Sequence, residues 1–324
     1  MNNEVVPVAY KLLSGGFIRA YLVTMRPYLL FVSGITGLAG AAFSPLASPA
    51  KIAMIAIAAF FSYGFGQALT DCFQVDTDSI SSPYRPLTQG LLSRTLVLAV
   101  SACGLTLCIF TFAALNPYTL LPGVLAGTGL LTYTHFKRRW WGGPLYNAWI
   151  VAALCTMAFN GGTPPSALRL PDGLLLAAVL FGYANFVLAG YFKDISADVA
   201  TGYHTMPVVF GRKRSAFVSD GLALLAVVAA AALVLRDSAR ESLFLPAGIF
   251  LLAGAAVSIA AQSLLHRVST DEAAHLPIAM SVHSYILLLS SMALSRRPGW
   301  FLPLAMFYGA FVLALAVRPE KSQI

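Results

Sequence analysis

The feature that most constrains this sequence is a series of long apolar runs that recurs from one end to the other. Most runs have roughly 17–22 residues, enough for a helix to cross about 30 Å of hydrocarbon. Pro277, Pro298 and Pro303 interrupt the last two runs, and "HSY" at 283–285 is polar for a lipid-facing segment. The predicted number is therefore nine membrane-spanning helices, or ten, near residues 28–43, 52–70, 95–115, 119–135, 146–161, 173–192, 215–235, 243–264, 276–294 and 300–317.

Composition supports this interpretation. The chain is 58% hydrophobic and only 10% charged, with a mean hydropathy of +0.76, whereas soluble domains carry about 25% charged residues. We expect an all-α, polytopic membrane helical bundle that forms a single domain over residues 1–324. Residues 1–26 lack the compact apolar core of a cleavable signal and are expected to lie along the membrane surface.

The four cysteines are Cys72, Cys103, Cys108 and Cys155. They contain no CxxC pair, and most of them fall inside apolar runs. This spacing predicts small core residues rather than a disulfide framework or a zinc site.

The basic residues predict an orientation. If the N-terminus is cytoplasmic, alternating spans place most of the 21 Lys and Arg residues in cytoplasmic segments, as the positive-inside rule requires. The net charge of +8 is then a consequence of topology. We expect no nucleic-acid partner, because the basic residues are divided among several short loops.

Acidic residues are rare and clustered. Only 13 of the 324 residues are acidic, and five of them lie in "DCFQVDTD" (71–78) and "KDISAD" (193–198). Ionisable groups at membrane depth are costly and mark candidate functional sites. Four predicted spans separate the two stretches, so both emerge on the same face. We expect one site whose mouth opens on the cytoplasmic face of a bacterial inner membrane.

Helical geometry indicates which carboxylates converge. At about 100° per residue, Asp71 and Asp78 fall within about 20° of each other with Gln74 on the same face, whereas Asp76 points about 140° away. Asp194 and Asp198 are i, i+4 neighbours. Each stretch thus offers a pair of carboxylates.

Carboxylate pairs without nearby His or Cys suit Mg²⁺, which commonly bridges protein carboxylates to phosphates. Topology alone explains any single basic residue near them, but Arg85 and Lys193 lie in the loops of the acidic stretches themselves. A phosphate handled beside an apolar interior favours an isoprenoid diphosphate as substrate. The other candidate phosphate-binding residues are Lys137, Arg138, Arg139, Arg212, Lys213 and Arg214.

These residues carry a family resemblance. "QALTDCFQVDTDSISSPYRPLTQG" (67–90) resembles the first signature of the UbiA superfamily of intramembrane prenyltransferases, NDxxDxxxD followed by P-x-RP. "YFKDISADVATGYHTMPVVFG" (191–211) is similar to the second, DxxxD followed by Gly and a TLPV-like turn. The resemblance implies a UbiA-like fold of nine helices, with the signatures after the second and the sixth.

The first signature departs from the family pattern. Thr70 stands where the family has Asn, and Gln74 stands where it has the middle Asp. Gln can still offer a carbonyl oxygen to Mg²⁺, and Asp76 is an alternative ligand if the helix unwinds there. The resemblance therefore implies Mg²⁺ as cofactor, with the metal ligands Asp71, Gln74, Asp78, Asp194 and Asp198.

The resemblance also implies roles. The four matched aspartates, Asp71, Asp78, Asp194 and Asp198, would be catalytic, and aromatic faces would stabilise an allylic cation. Asn147, Asn160 and Asn185 are polar residues within spans that orient substrate or, equally, bond helix to helix. The expected diphosphate or substrate contacts are Arg85, Lys137, Arg138, Lys193, Gln74, Asn147 and Asn185. The candidate aromatic residues are Phe60, Phe61, Tyr63, Phe65, Tyr133, Tyr146, Trp149, Tyr183, Phe186 and Tyr191.

Three functions fit this pattern to different degrees. The first is transfer of a prenyl group from an isoprenyl diphosphate donor to a small hydrophobic or aromatic acceptor, such as a quinone precursor. The second is a membrane terpene cyclase that closes the same donor on itself. A transporter or channel is disfavoured, because it would place acids near the bilayer midplane rather than at one face.

Overall fold

The computed structural model describes residues 9–44, 48–161, 169–238 and 244–318. Within these ranges the chain forms α-helices joined by short turns, with no strand. The helices are α1 (Gly15–Met25), α2 (Leu30–Phe43), α3 (Pro49–Asp71), α4 (Val75–Ser81), α5 (Arg94–Leu115), α6 (Leu120–Arg139), α7 (Gly143–Asn160), α8 (Leu170–Tyr191), α9 (Ile195–Ala200), α10 (Met206–Ser238), α11 (Phe244–Leu265), α12 (His275–Arg296) and α13 (Phe301–Ala316).

A helix lies at each of the ten predicted positions, but the predicted number of spans is not confirmed. Among the described residues, seven helices are long and apolar enough to cross a membrane. An eighth span results if Gly15–Met25 and Pro27–Phe43, bent by 43°, count as one. Helices α6 and α7 were predicted as spans and fall outside this set. The basic end of α6 and the Gly, Pro and Asn residues that begin α7 make both less apolar.

Helix α12 lies at the centre of the bundle, which explains its polar residues. Its apolar window is 83% buried, against 11% for α13. The Tyr285 hydroxyl lies 2.7 Å from Thr36 Oγ1, and Ser284 donates to the carbonyl of Gly254 at 2.9 Å. Pro277 falls in the first turn of α12, where no backbone donor is lost. The hydroxyls of Tyr285 and Ser284, which would be costly in lipid, are therefore satisfied between helices.

Helix α1 packs against α3 and places Arg26 beside the C-terminal end of α3. Phe17 belongs to a buried cluster with Ala68 of α3 and with Cys72, the residue after α3. Arg26 caps α1 in a left-handed conformation at φ 53°, and Pro27 begins the next turn. Of the segment predicted to lie on the membrane surface, residues 1–8 are outside the described part, and α1 is docked on the bundle.

Three of the four cysteines confirm the core prediction. Cys72, Cys108 and Cys155 are buried, whereas Cys103 is exposed on the outer face of α5. All four are free thiols.

Both acidic stretches lie at the same end of the bundle. Four helices, α5 to α8, separate them, as predicted. The short helices α4 and α9 touch, with Thr77 Oγ1 3.2 Å from Thr201 Oγ1. This contact brings the two stretches to one mouth.

Candidate active site

The two acidic stretches share one local architecture. A long helix ends, a three-residue turn follows, and a short helix begins after Gln74 (φ −120°, ψ 17°) or Asp194 (φ −110°, ψ 8°). The amide of Asp78 donates to the Gln74 carbonyl at 2.9 Å, and that of Asp198 donates to the Asp194 carbonyl at 2.7 Å. Gln74 is therefore the structural counterpart of Asp194.

This architecture corrects the continuous helix predicted through residues 71–78. Helix α3 ends at Asp71, because the next amides bond three residues back instead of four: Phe73 to Thr70 at 3.0 Å and Gln74 to Asp71 at 3.1 Å. Asp71, Gln74 and Asp78 nevertheless line one polar pocket, as the helical projection predicted.

Arginines hold both carboxylates of the first stretch. Arg26 Nη2 lies 3.1 Å from each oxygen of Asp71, and Gln67 Nε2 donates to one of them at 2.6 Å. Arg85 donates to Asp78 and lies 3.6 Å from Asp71. Burial raises the pKa of Asp78, although Arg85 opposes the shift. These carboxylates are ion-paired within the protein itself.

Lys137 bridges the two stretches. Its ammonium donates to Gln74 Oε1 at 2.9 Å and lies 3.8 Å from Asp198 Oδ1. It also lies 5.1 Å from the Tyr191 ring centre and 5.2 Å from that of Tyr203, within cation–π range. The side chain is only 5% exposed. The Lys137 ammonium is thus held by contacts with both acidic stretches and with two aromatic rings.

In the second stretch, one carboxylate oxygen accepts no hydrogen bond from the described residues. Asp198 is fully buried and accepts from Thr205 Oγ1 at 2.9 Å through Oδ2. Its Oδ1 has no hydrogen-bond donor among the described residues. Burial raises the pKa of Asp198 to about 6, although Lys137 opposes the shift. A buried oxygen without a donor is a candidate ligand for a cation.

Lys193 and Asp194 are adjacent in the chain, and both line the polar pocket. Burial lowers the pKa of Lys193 to about 7, and Asp194 opposes that shift. Burial alone would raise the pKa of Asp194, but Lys193, together with Lys137 and Arg85, holds it below its ordinary value.

Asp76 lies outside the pocket, in the direction that the helical projection predicted. Its carboxylate pairs with Arg138 Nη2 at 2.8 Å, and the two side chains are about 40% exposed. Arg138 also donates to the carbonyl of Phe73 at 3.2 Å and stacks 4.7 Å from the ring centre of Tyr203. This ion pair joins α4 to the C-terminal end of α6 outside the pocket.

Asn185 and Asn160 do not reach the pocket. Asn185 Oδ1 accepts from Ser219 at 2.6 Å and from Gln262 at 3.1 Å, so it bonds α8 to α10 and α11. Asn160 ends α7, where its carbonyl accepts from Asn116. The interhelical alternative therefore describes the contacts of Asn185. Asn147, by contrast, lines the pocket.

The other basic candidates lie outside the pocket. Arg139 Nη1 contacts His135 at 2.8 Å, and Arg212 pairs with Asp271 at 2.6 Å. Lys213 and Arg214 are exposed.

Sequence reasoning missed several residues in and around the pocket. Arg26 and Gln67 hold Asp71, and Thr205 and Tyr203 flank Asp198 and Lys137. Gln67 could have been found, because it lies four residues before Asp71 on the same helix face. Arg26 had only a weak signal, a lone cation before Pro27 at the start of an apolar run.

An apolar pocket adjoins the polar one. It encloses a cavity of about 100 Å³ between α3, α5, α6 and α7 and is partly open to the outside. The apolar pocket is lined mainly by Leu105, Cys108, Ile109, Phe112, Gly123, Ala126, Gly127, Leu130, Ile150, Val151, Leu154 and Met157. The residues that line both pockets are Tyr63, Gln67, Thr70, Asn147 and Tyr183. A charged chamber thus opens onto an apolar one.

A third cavity of about 470 Å³, the vestibule, lies on the other side of α9. Lys193 lines both the vestibule and the polar pocket. The Asp271 carboxylate accepts from the amide of Ser196 at 2.8 Å and pairs with Arg212, which ties α9 to α10. The vestibule lining is polar: Ser81, Lys193, Ser196, Arg212, Ser269, Thr270, Asp271, Glu272 and His275, with Ile80 and Ala197.

Comparisons with known proteins agree with this arrangement. A model of the UbiA prenyltransferase family matches residues 30–283. The digeranylgeranylglyceryl phosphate synthase of Thermococcus kodakarensis is 28% identical over 218 residues, which cover 65% of this chain and 76% of the relative. The synthase of Thermococcus onnurineus is 30% identical over the same shares.

Solved structures share the fold. The apo structure of a UbiA homologue from Aeropyrum pernix K1 has a TM-score of 0.66 and 23% identity, covering 81% of this chain and 98% of that one. A UbiA homologue from Archaeoglobus fulgidus bound to GPP and Mg²⁺ has a TM-score of 0.57 and 17% identity, covering 92% of this chain and all of that one. With the family model spanning most of the sequence, the chain belongs to the UbiA prenyltransferase family.

Proposed function

We propose that this chain transfers a prenyl group from an allylic diphosphate to an acceptor at the polar pocket. The observation that carries this proposal is the junction of a charged pocket with an apolar one. An allylic diphosphate has the same two halves. Its reactive carbon lies where they join, and Tyr63, Asn147 and Tyr183 lie at the junction of the two pockets.

The charged residues suit the diphosphate. Arg85, Lys137 and Lys193 line the polar pocket, so they stabilise the negative charge that develops on the leaving group. Asp194 and Asp198 fit Mg²⁺, because they offer hard oxygen ligands and one buried oxygen without a donor. Mg²⁺ held there would neutralise charge on the diphosphate. The proposal draws support from the Archaeoglobus fulgidus homologue bound to GPP and Mg²⁺.

In the transfer, the carbon–oxygen bond of the donor breaks and its electron pair leaves with the diphosphate. The faces of Tyr63 and Tyr183 stabilise the allylic cation. A nucleophilic atom of the acceptor then forms the new bond and loses its proton.

We expect the acceptor to carry a phosphate. The vestibule offers room for it beside the donor, because Lys193 lines both the vestibule and the polar pocket. Arg212, which is paired with Asp271, also lies in the vestibule wall. The similarity to digeranylgeranylglyceryl phosphate synthases supports the same class, a prenylated glycerol phosphate. The aromatic or quinone-precursor acceptor expected from sequence is the rival class. A cyclase would need no room for an acceptor beside the donor.

Product analysis tests the proposal. The purified chain is incubated with Mg²⁺ and geranylgeranyl diphosphate, alone, with geranylgeranylglyceryl phosphate, or with a panel of aromatic acids and quinols, and products are identified by mass spectrometry. We expect an ether of the glycerol phosphate. A prenylated aromatic product would establish the rival acceptor, and a cyclised product from the donor alone would contradict transfer. Unchanged donor in every arm would contradict the proposed function as a whole.

A further inference from the structure

Hydrogen bonds from cationic and amide side chains occupy most of the oxygen ligands that the first acidic stretch could offer a divalent cation. Both oxygens of Asp71 bond to Arg26, and one also accepts from Gln67. Asp78 accepts from Arg85, and Gln74 Oε1 accepts from Lys137. A magnesium ion requires several oxygen ligands at about 2.0–2.1 Å in near-octahedral geometry. Every polar side chain of this stretch that faces the pocket is already held by a side-chain donor.

The charge at position 74 also disfavours a divalent cation at the first acidic stretch. Gln74 is the counterpart of Asp194, so the first stretch has a neutral amide where the second has an anion. A carboxylate at this position would attract a cation, whereas an amide oxygen accepts a single hydrogen bond from Lys137 at 2.9 Å. Position 74 therefore attracts a divalent cation less strongly than its counterpart Asp194 does.

Lys137 is held where such a cation would lie. It is buried, it spans Gln74 and Asp198, and the rings of Tyr191 and Tyr203 flank it. The ammonium therefore already supplies a positive charge between the two stretches.

We propose that the ammonium of Lys137 takes the place of a divalent cation at the first acidic stretch, so that the site binds one divalent cation per donor, on Asp194 and Asp198. This inference rests on the proposed function and concerns its metal requirement. It replaces the expectation that Asp71, Gln74 and Asp78 are metal ligands. These three residues instead position Arg26, Arg85 and Lys137 toward the diphosphate.

Manganese stoichiometry tests this inference without turnover. The full chain in lipid nanodiscs is titrated with Mn²⁺ in the presence of geranylgeranyl thiolodiphosphate, a donor analogue that ionises poorly. Bound Mn²⁺ is counted by electron paramagnetic resonance. We expect one Mn²⁺ per chain in the native protein and in Gln74→Asp, because Lys137 would pair with the new carboxylate. The double variant Gln74→Asp/Lys137→Gln should bind two.

Controls separate the outcomes. Arg139→Gln removes a nearby exposed cation that hydrogen-bonds to His135 outside the pocket, and it should leave one Mn²⁺ bound. Two Mn²⁺ in the native chain would overturn the inference and leave the proposed function intact. A second Mn²⁺ in Gln74→Asp alone, or only one in a folded double variant, would also overturn it. No bound Mn²⁺ at all would instead contradict the proposed function.

Discussion

At the scale of single residues, the site consists of carboxylates matched with cations of the same chain. Asp71 pairs with Arg26, Asp78 with Arg85 and Asp198 with Lys137, and the charge of Lys193 stabilises the Asp194 carboxylate. Buried charges are tolerated only when they are paired in this way. The two stretches differ in how their carboxylate oxygens are bonded. Asp198 has one oxygen without a hydrogen-bond donor, whereas both oxygens of Asp71 accept from Arg26.

Asp194→Ala and Asp198→Ala should each lower kcat/KM for the donor by about 100- to 1,000-fold, the scale expected when one element of transition-state charge stabilisation is removed. Diphosphate release from geranylgeranyl diphosphate measures the effect. Asp76→Asn is the matched control, because Asp76 pairs with Arg138 outside the pocket. A near-normal rate in a folded Asp198→Ala chain would show that the second stretch does not act on the donor.

Arg26→Gln should destabilise the chain and raise the KM for the donor. The substitution leaves the buried Asp71 without its bidentate partner, and breaking a buried ion pair costs about 3–5 kcal/mol. Gln67 and Arg85 remain nearby, so the loss should lie at the lower end of that range. Thermal unfolding and steady-state kinetics report the two effects. Arg19→Gln, an exposed residue on the same helix, should change neither, and equal effects of both variants would refute the assigned role.

At the scale of elements, sequence predicted where helices lie better than how they turn. Long apolar runs place a helix at each predicted position, because any stretch in lipid must satisfy its backbone internally. The helix break after Asp71 depends on whether each amide bonds to the carbonyl three or four residues earlier in the chain. The residues here are compatible with either pattern. Asn185 faces away from the pocket because the rotation of α8 follows from its packing against α10 and α11. Arg26 joins the site only through the docking of α1 on α3.

Gly127→Leu should raise the KM for long allylic donors more than for short ones. Gly127 lines the apolar pocket, and a Cβ there would meet only Ile109 at 3.7 Å, so a larger side chain would extend into the space for the prenyl chain. The KM values for geranyl and geranylgeranyl diphosphate measure the selectivity. Val124→Leu, on the exposed face of the same helix, is the control. An equal change for both donors would place the prenyl chain elsewhere.

At the scale of the whole molecule, the bundle gathers its chemistry at one end. The polar pocket and the vestibule lie beside the short helices α4 and α9, and the apolar pocket extends between the long helices below them. The distribution of Lys and Arg favours a cytoplasmic position for this end.

Thiol labelling tests that orientation. In a chain carrying Cys103→Ser, the variant Asp76→Cys should react with an impermeant maleimide in inside-out vesicles and stay unlabelled in right-side-out vesicles, because Asp76 is partly exposed at the mouth. Tyr118→Cys, in the exposed turn between α5 and α6 at the opposite end, should show the reverse. Labelling of position 76 from the outer face would contradict a cytoplasmic mouth.

The most direct measurement of the central claim is an experimental structure of the chain in nanodiscs with Mn²⁺ and geranylgeranyl thiolodiphosphate. The account predicts that the diphosphate lies between Lys137 and Asp194, with the prenyl chain passing Tyr63 and Tyr183 into the apolar pocket. A diphosphate bound away from both acidic stretches, or a prenyl chain seated in the vestibule, would contradict it.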